Sequence, residues 1–114
     1  MRESTPRILT GMYAFVGGGY DTPASVGASY TVPADRRAQM VYFRGGNSTA
    51  EMIAVVLLRD GAPMRSFPIG AKGAVHVPLV VVEDLPPDTR LELTVAVPAG
   101  TGGTLALDMG LVEN

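Results

Sequence analysis

The 114-residue chain has no cysteine and no tryptophan, a single lysine (Lys72) against eight arginines, and a single histidine, His76. Without cysteine there is neither a disulfide framework nor a thiolate metal site, and one histidine leaves the common zinc and copper ligand sets incomplete. No cofactor is implied. Charged residues make up 18% of the chain, against about 25% in an average soluble domain. The formal net charge is −2 and the only basic pair is Arg36-Arg37, so the chain has no basic stripe and nucleic acid is a poor partner. No apolar run approaches the ~18 residues of a spanning helix. Residues 1–7 are not followed by an apolar h-region or a small-residue cleavage site, so the expectation is a cytoplasmic protein without membrane contact. A secreted chain cleaved of its leader would read the same way. Arginine in place of lysine, with heavy alanine, glycine and valine usage, suggests a GC-rich bacterial coding sequence.

What the chain does have is punctuation. Its 14 glycines and 9 prolines separate short apolar segments, and no segment holds a 3.6-residue period for three turns. The reading is one all-β domain over residues 8–114 behind an N-terminal arm at 1–7. Strands are expected at 8–16, 29–32, 39–43, 51–59, 64–69, 75–82, 91–97 and 105–111. Leu91, Leu93, Val95 and Val97 alternate with polar or small residues, as do Leu105, Leu107, Met109 and Leu111, so each strand has one buried face. The segment 98–103 reads as a hairpin joining these two strands. Asp60-Gly61 supplies the positive φ values of a type I′ hairpin. Pro68 and Pro78 lack the ladder donor and belong at edges or breaks. The expected architecture is a two-layer antiparallel β-sandwich of about eight strands, with a jelly roll as a candidate topology.

The run Met52-Ile53-Ala54-Val55-Val56-Leu57-Leu58 departs from this alternation. Successive strand side chains point to opposite faces, so an unbroken apolar run asks for cover on both sides. A two-layer domain covers one face by itself. The other face is assigned to a loop, an arm or a second subunit, which makes Met52, Ala54, Val56 and Leu58, together with His76, the candidate interface.

Other candidate sites are weaker. Gly17-Gly18-Gly19-Tyr20-Asp21 has the flexibility of an anion nest but not the residues of a P-loop or a GxGxxG fingerprint. Arg44-Gly45-Gly46-Asn47 reads as a turn that sets a guanidinium beside exposed amides, suited to a carboxylate or phosphate. Asn47-Ser48-Thr49 matches a glycosylation sequon by chance. Glu83, Asp84 and Asp88 lack the spacing of a known Ca²⁺ loop, and the methionines read as core filler. With tyrosines only at 13, 20, 30 and 42, an aromatic platform for sugars is thin.

The leading expectation is a non-catalytic, self-associating β-sandwich: a homo-oligomeric structural or assembly protein, or an accessory subunit docked on a larger enzyme. The alternative is a small-ligand or glycan-binding module built on the glycine-rich loops, with Tyr20, Asp21, Arg44 and Asn47 at its site. An enzyme with a loop-built site using His76 or the scattered carboxylates ranks third.

Overall fold

The computed structural model describes residues 3–114. Two antiparallel sheets pack face to face. The nine strands are β1 (Thr5–Val16), β2 (Ala24–Thr31), β3 (Ala38–Asn47), β4 (Ile53–Arg59), β5 (Ala62–Ile69), β6 (Ala74–Pro78), β7 (Asp84–Leu85), β8 (Arg90–Ala96) and β9 (Gly102–Glu113). The first sheet runs β1-β9-β3-β6, with the short β7 also on β3; the second runs β2-β8-β4-β5.

Alternation builds the core as the sequence suggests. Leu105, Leu107, Met109 and Leu111 of β9 face Leu91, Leu93 and Val95 of β8 and Ile53, Val55 and Leu57 of β4 in one buried cluster. Phe43 of β3 stacks on Phe67 of β5 at 4.3 Å between ring centroids, tying the two sheets together. Asp60 (φ 48°) and Gly61 (φ 86°) make the expected tight turn between β4 and β5. Pro68 lies in β5 and Pro78 ends β6, both edge strands whose outward side needs no donor.

Several boundaries differ from the expectation. β1 begins at Thr5, so part of the expected arm joins the sheet, while Met1 and Arg2 lie outside the described residues. β2 starts at Ala24, inside what reads as a loop. Pro78 cuts the expected 75–82 strand short and leaves Val80 and Val81 exposed. Segment 98–103 is not a hairpin: β8 belongs to the second sheet and β9 to the first, so it carries the chain across the sandwich. Its local signals (a proline and Gly100 at φ 81°) are those of any tight reversal.

The apolar run is sealed on one face only. Ile53, Val55 and Leu57 are fully buried, whereas Ala54, Val56 and Leu58 are half-buried on the outer face of the second sheet. Cross-strand neighbours supply the partial cover: Ala96 and Pro68 flank Ala54, Thr94 and Ser66 flank Val56, and Glu92 and Pro63 flank Leu58. The Thr94 hydroxyl also donates to the Val56 carbonyl at 2.8 Å. The unroofed apolar area is therefore smaller than the run alone implies.

Among the described residues, one charged side chain is buried. Glu113, at the end of β9, is 1% exposed and accepts from the Tyr30 hydroxyl at 2.5 Å and from Arg7 Nε at 3.1 Å. Pairing and hydrogen bonding are what permit a buried carboxylate. Burial above all, then the bond to Glu113, pushes the Tyr30 phenol above its ordinary value. In the unfolded chain that phenol titrates near ~10. Its contribution to stability is therefore complete below about pH 10 and is lost as pH rises toward the raised folded value. Unfolding free energy measured by urea titration should fall as pH rises above about 10. Tyr30→Phe should flatten that fall, and an unchanged slope in the variant would contradict the assignment.

Candidate functional site

The outer face of the first sheet is built by register. Thr10 of β1 faces Asp108 of β9, Asp108 faces Arg44 of β3, and Arg44 faces His76 of β6. The next row across is Met12, Ala106, Gly46 and Ala74, three of them small. Because side chains at i and i+2 share a face, this row of small residues lies beside the polar row and leaves a depression. The hollow encloses about 630 Å³; Met12 closes it on the β1 side, His76 on the β6 side, and Thr10, Asp108 and Arg44 along one flank.

The polar row is pre-arranged. Tyr42 donates to Asp108 Oδ1 at 2.8 Å, and Arg44 Nη1 lies 3.7 Å from Asp108 Oδ2. The Tyr42 and His76 rings meet edge to face at 6.1 Å. The Tyr42 ring lies across Gly110: a Cβ there would come within 2.0 Å of the ring. The hydrogen bond to Asp108, more than burial, raises the phenol above its ordinary value. The Arg44 side chain is 59% exposed, so its long contact with Asp108 leaves most of its five donors free for a ligand. The face thus offers a carboxylate acceptor, a guanidinium, an imidazole and a hydroxyl around a shallow floor. That combination can both donate to and accept from a polar ligand.

Of the residues singled out from sequence, Arg44 and His76 come together here, as neighbours across β3 and β6. Neither is in the local setting expected. Arg44-Gly45-Gly46-Asn47 is not a turn but the end of β3, and neither glycine has positive φ. Gly45 points inward, where a Cβ would meet the Phe43 ring at 2.8 Å and Ile69 Cδ1 at 2.9 Å, so close packing selects glycine there. Asn47 is buried with its amide fully committed: Nδ2 donates to the carbonyls of Glu51, Ile69 and Gly70, and Oδ1 accepts from the Thr49 amide and hydroxyl. It is available neither to a ligand nor to a glycosylating enzyme.

Tyr20 and Asp21 lie on an exposed turn between β1 and β2, where the Tyr20 hydroxyl donates to the Met52 carbonyl at 2.7 Å. The anion nest is not formed, because the Gly17 and Gly19 amides already bond the carbonyls of Thr101 and Val97. The expected interface is also divided. Ala54, Val56 and Leu58 face outward from the second sheet and Met52 precedes β4, while His76 is on the first sheet. Sequence reasoning missed Thr10, Met12, Tyr42 and Asp108. The signal was the spacing Tyr42-x-Arg44-x-Gly46, which puts three residues on one strand face once the segment is read as a strand.

No protein-family model matches the chain, and no curated protein matches it in sequence. Solved structures do match in shape. The CBM36-1 domain of a multidomain xylanase from the hindgut metagenome of Trinervitermes trinervoides has a TM-score of 0.59 at 18% identity, over 95% of this chain and 96% of that one. A family 35 carbohydrate binding module from Clostridium thermocellum has a TM-score of 0.50 at 16% identity, over 94% and 97%. The T=1 particle protein derived from infectious bursal virus also has a TM-score of 0.50, at 12% identity, but this chain spans only 31% of it. At such identities the likeness is one of architecture: a sandwich of two antiparallel sheets with jelly-roll neighbours.

Proposed function

We propose that the protein is a non-catalytic glycan-binding module whose site is the hollow on the outer face of the first sheet. The observation that carries this reading is the row Thr10, Asp108, Arg44, His76 set in register beside a floor of small residues. Asp108 accepts from sugar hydroxyls, Arg44 donates to them, and His76 and Met12 bound the floor with ring and thioether surfaces. Two of the similar folds, matched along nearly their whole length, are carbohydrate-binding modules by name, which supports the reading. The glycan alternative therefore moves ahead of the assembly reading, with its site on a sheet face and not on the glycine-rich loops.

The test is retention by soluble polysaccharides (xylan, mannan, β-glucan and galactan) in affinity electrophoresis, followed by calorimetry on the one retained. Asp108→Ala and Arg44→Ala should each weaken binding about tenfold or more, equivalent to ~1.4 kcal/mol per decade. Retention by none of these polymers, or retention indifferent to both substitutions, would overturn the proposal.

A further inference from the structure

The edges of the two open sheets are β1 on one side of the first sheet and β6, with the two-residue β7 beside it, on the other, and β2 and β5 in the second sheet. Exposed edges template pairing with other chains, and proteins blunt them with prolines, charges, bulges or short length. Three of these edges are blunted. β6 has five residues and ends at Pro78. β5 carries Pro63, Arg65 and Pro68, and its register with β4 slips between Leu57 and Leu58. β2 loses register between Ser25 and Ser29, around Gly27 at φ 81°.

β1 has none of these devices over its last nine residues. From Ile8 to Val16 it contains no charge and no proline, and it pairs with β9 without a slip. Its outward face also carries three exposed large apolar residues: Ile8, Met12 and Val16 are 65%, 71% and 68% exposed. The stripe is symmetric in sequence, with large residues at 8 and 16, small ones at 10 and 14, and Met12 at the centre.

From this edge and its symmetry we infer that β1 pairs antiparallel with β1 of a second copy, about a two-fold axis at Met12. In that register Ile8 faces Val16 of the other copy, Thr10 faces Ala14, and Met12 faces itself, so every large apolar residue meets another. An isologous two-fold contact requires this self-complementarity, and no other two-fold register on this face pairs all three large residues with one another. The segment is ~30 Å long at ~3.4 Å per residue and a sheet layer is ~10 Å thick, so the strand edges alone bury ~600 Å² over both copies. A stable interface needs ~1,000 Å². The three exposed side chains on each copy supply the remainder, so the dimer should dissociate on dilution. The inference does not rest on the glycan reading; Thr10 and Met12 border both surfaces, and the variants Ile8→Lys/Val16→Lys test the dimer at residues outside the hollow.

Light scattering of the full chain at high micromolar concentration should give twice 11.9 kDa. The double variant Ile8→Lys/Val16→Lys places like charges opposite each other and should be monomeric. Ile8→Lys/Val16→Glu places opposite charges in the same positions and should restore the dimer, now sensitive to salt. Ile8 and Val16 are mostly exposed, so both variants should fold, which circular dichroism will check. The absence of cysteine allows a direct probe of register: Met12→Cys should oxidise to a cross-linked dimer, and Ala14→Cys, opposite Thr10, should not. Val56→Asp, on the other sheet, should leave the dimer intact. A monomeric wild type, a like-charge variant that stays dimeric, or a dimer broken by Val56→Asp would each overturn the proposal.

Discussion

Asn47→Ala should lower stability by about 3 kcal/mol, a large share of the ~5–15 kcal/mol available to a domain. The side chain closes the buried junction between β3, the 48–52 loop and the end of β5 through five hydrogen bonds. Alanine removes both ends of that network at once. The Thr49 amide loses its acceptor and the Ile69 carbonyl its side-chain donor at buried positions, while the Gly70 carbonyl, on an exposed residue, keeps the Gly73 amide. Each orphaned buried group costs ~1–3 kcal/mol, and Asn47→Asp would add a buried charge facing three carbonyl oxygens. At this chain length the melting temperature should fall by roughly 10–20 °C. Glycan binding by the fraction still folded should not change. A loss below ~1 kcal/mol, the scale of an ordinary surface substitution, would show that Asn47 does not hold the junction.

Gly110→Ala should do the opposite: leave the fold nearly untouched and disable the site. The new methyl group needs the space occupied by the Tyr42 ring, 2.0 Å from the ideal Cβ position. Tyr42 is half-buried on an outer face, so its ring can swing toward solvent, and stability should change by no more than ~1 kcal/mol. The swing breaks the bond to Asp108 and the edge contact with His76, which together fix one flank of the hollow. Polysaccharide affinity should drop about tenfold or more. The Tyr42 phenol, released from its acceptor, should titrate lower than in the wild type. Unchanged affinity with a displaced ring would show that the arrangement of Tyr42 and Asp108 is irrelevant to binding.

Features carried by local pattern were legible in the sequence. The alternation of Leu91-Leu93-Val95 and of Leu105-Leu107-Met109-Leu111, the Asp60-Gly61 turn and the edge positions of Pro68 and Pro78 all follow from residues within one strand or turn. Features set by a distant partner were not. Gly45 and Gly46 read as a turn because glycine is the usual supplier of positive φ, yet Gly45 is selected by Phe43 and Ile69 and Gly46 lies opposite Ala106. Gly17 likewise makes room for Val97 and Pro98, not for an anion. The 98–103 reversal looks like a hairpin because nothing local says which sheet the next strand enters. The site was hidden for the same reason: Thr10, Asp108, Arg44 and His76 are spread over most of the chain, and only strand order makes them neighbours.

The placement of β9 bears on how the molecule assembles. The strand that fills the middle of the first sheet is the last in sequence, and its pairing with β1 joins Thr5 to Glu113. Synthesis must therefore proceed through β9, some hundred residues after β1 begins, before β1 and β3 gain the neighbour they share. Loop closure over such distances is slow, which predicts a high contact order and a folding rate at the lower end for small domains. Until then the second sheet, whose β4–β5 hairpin closes locally, is the better nucleus.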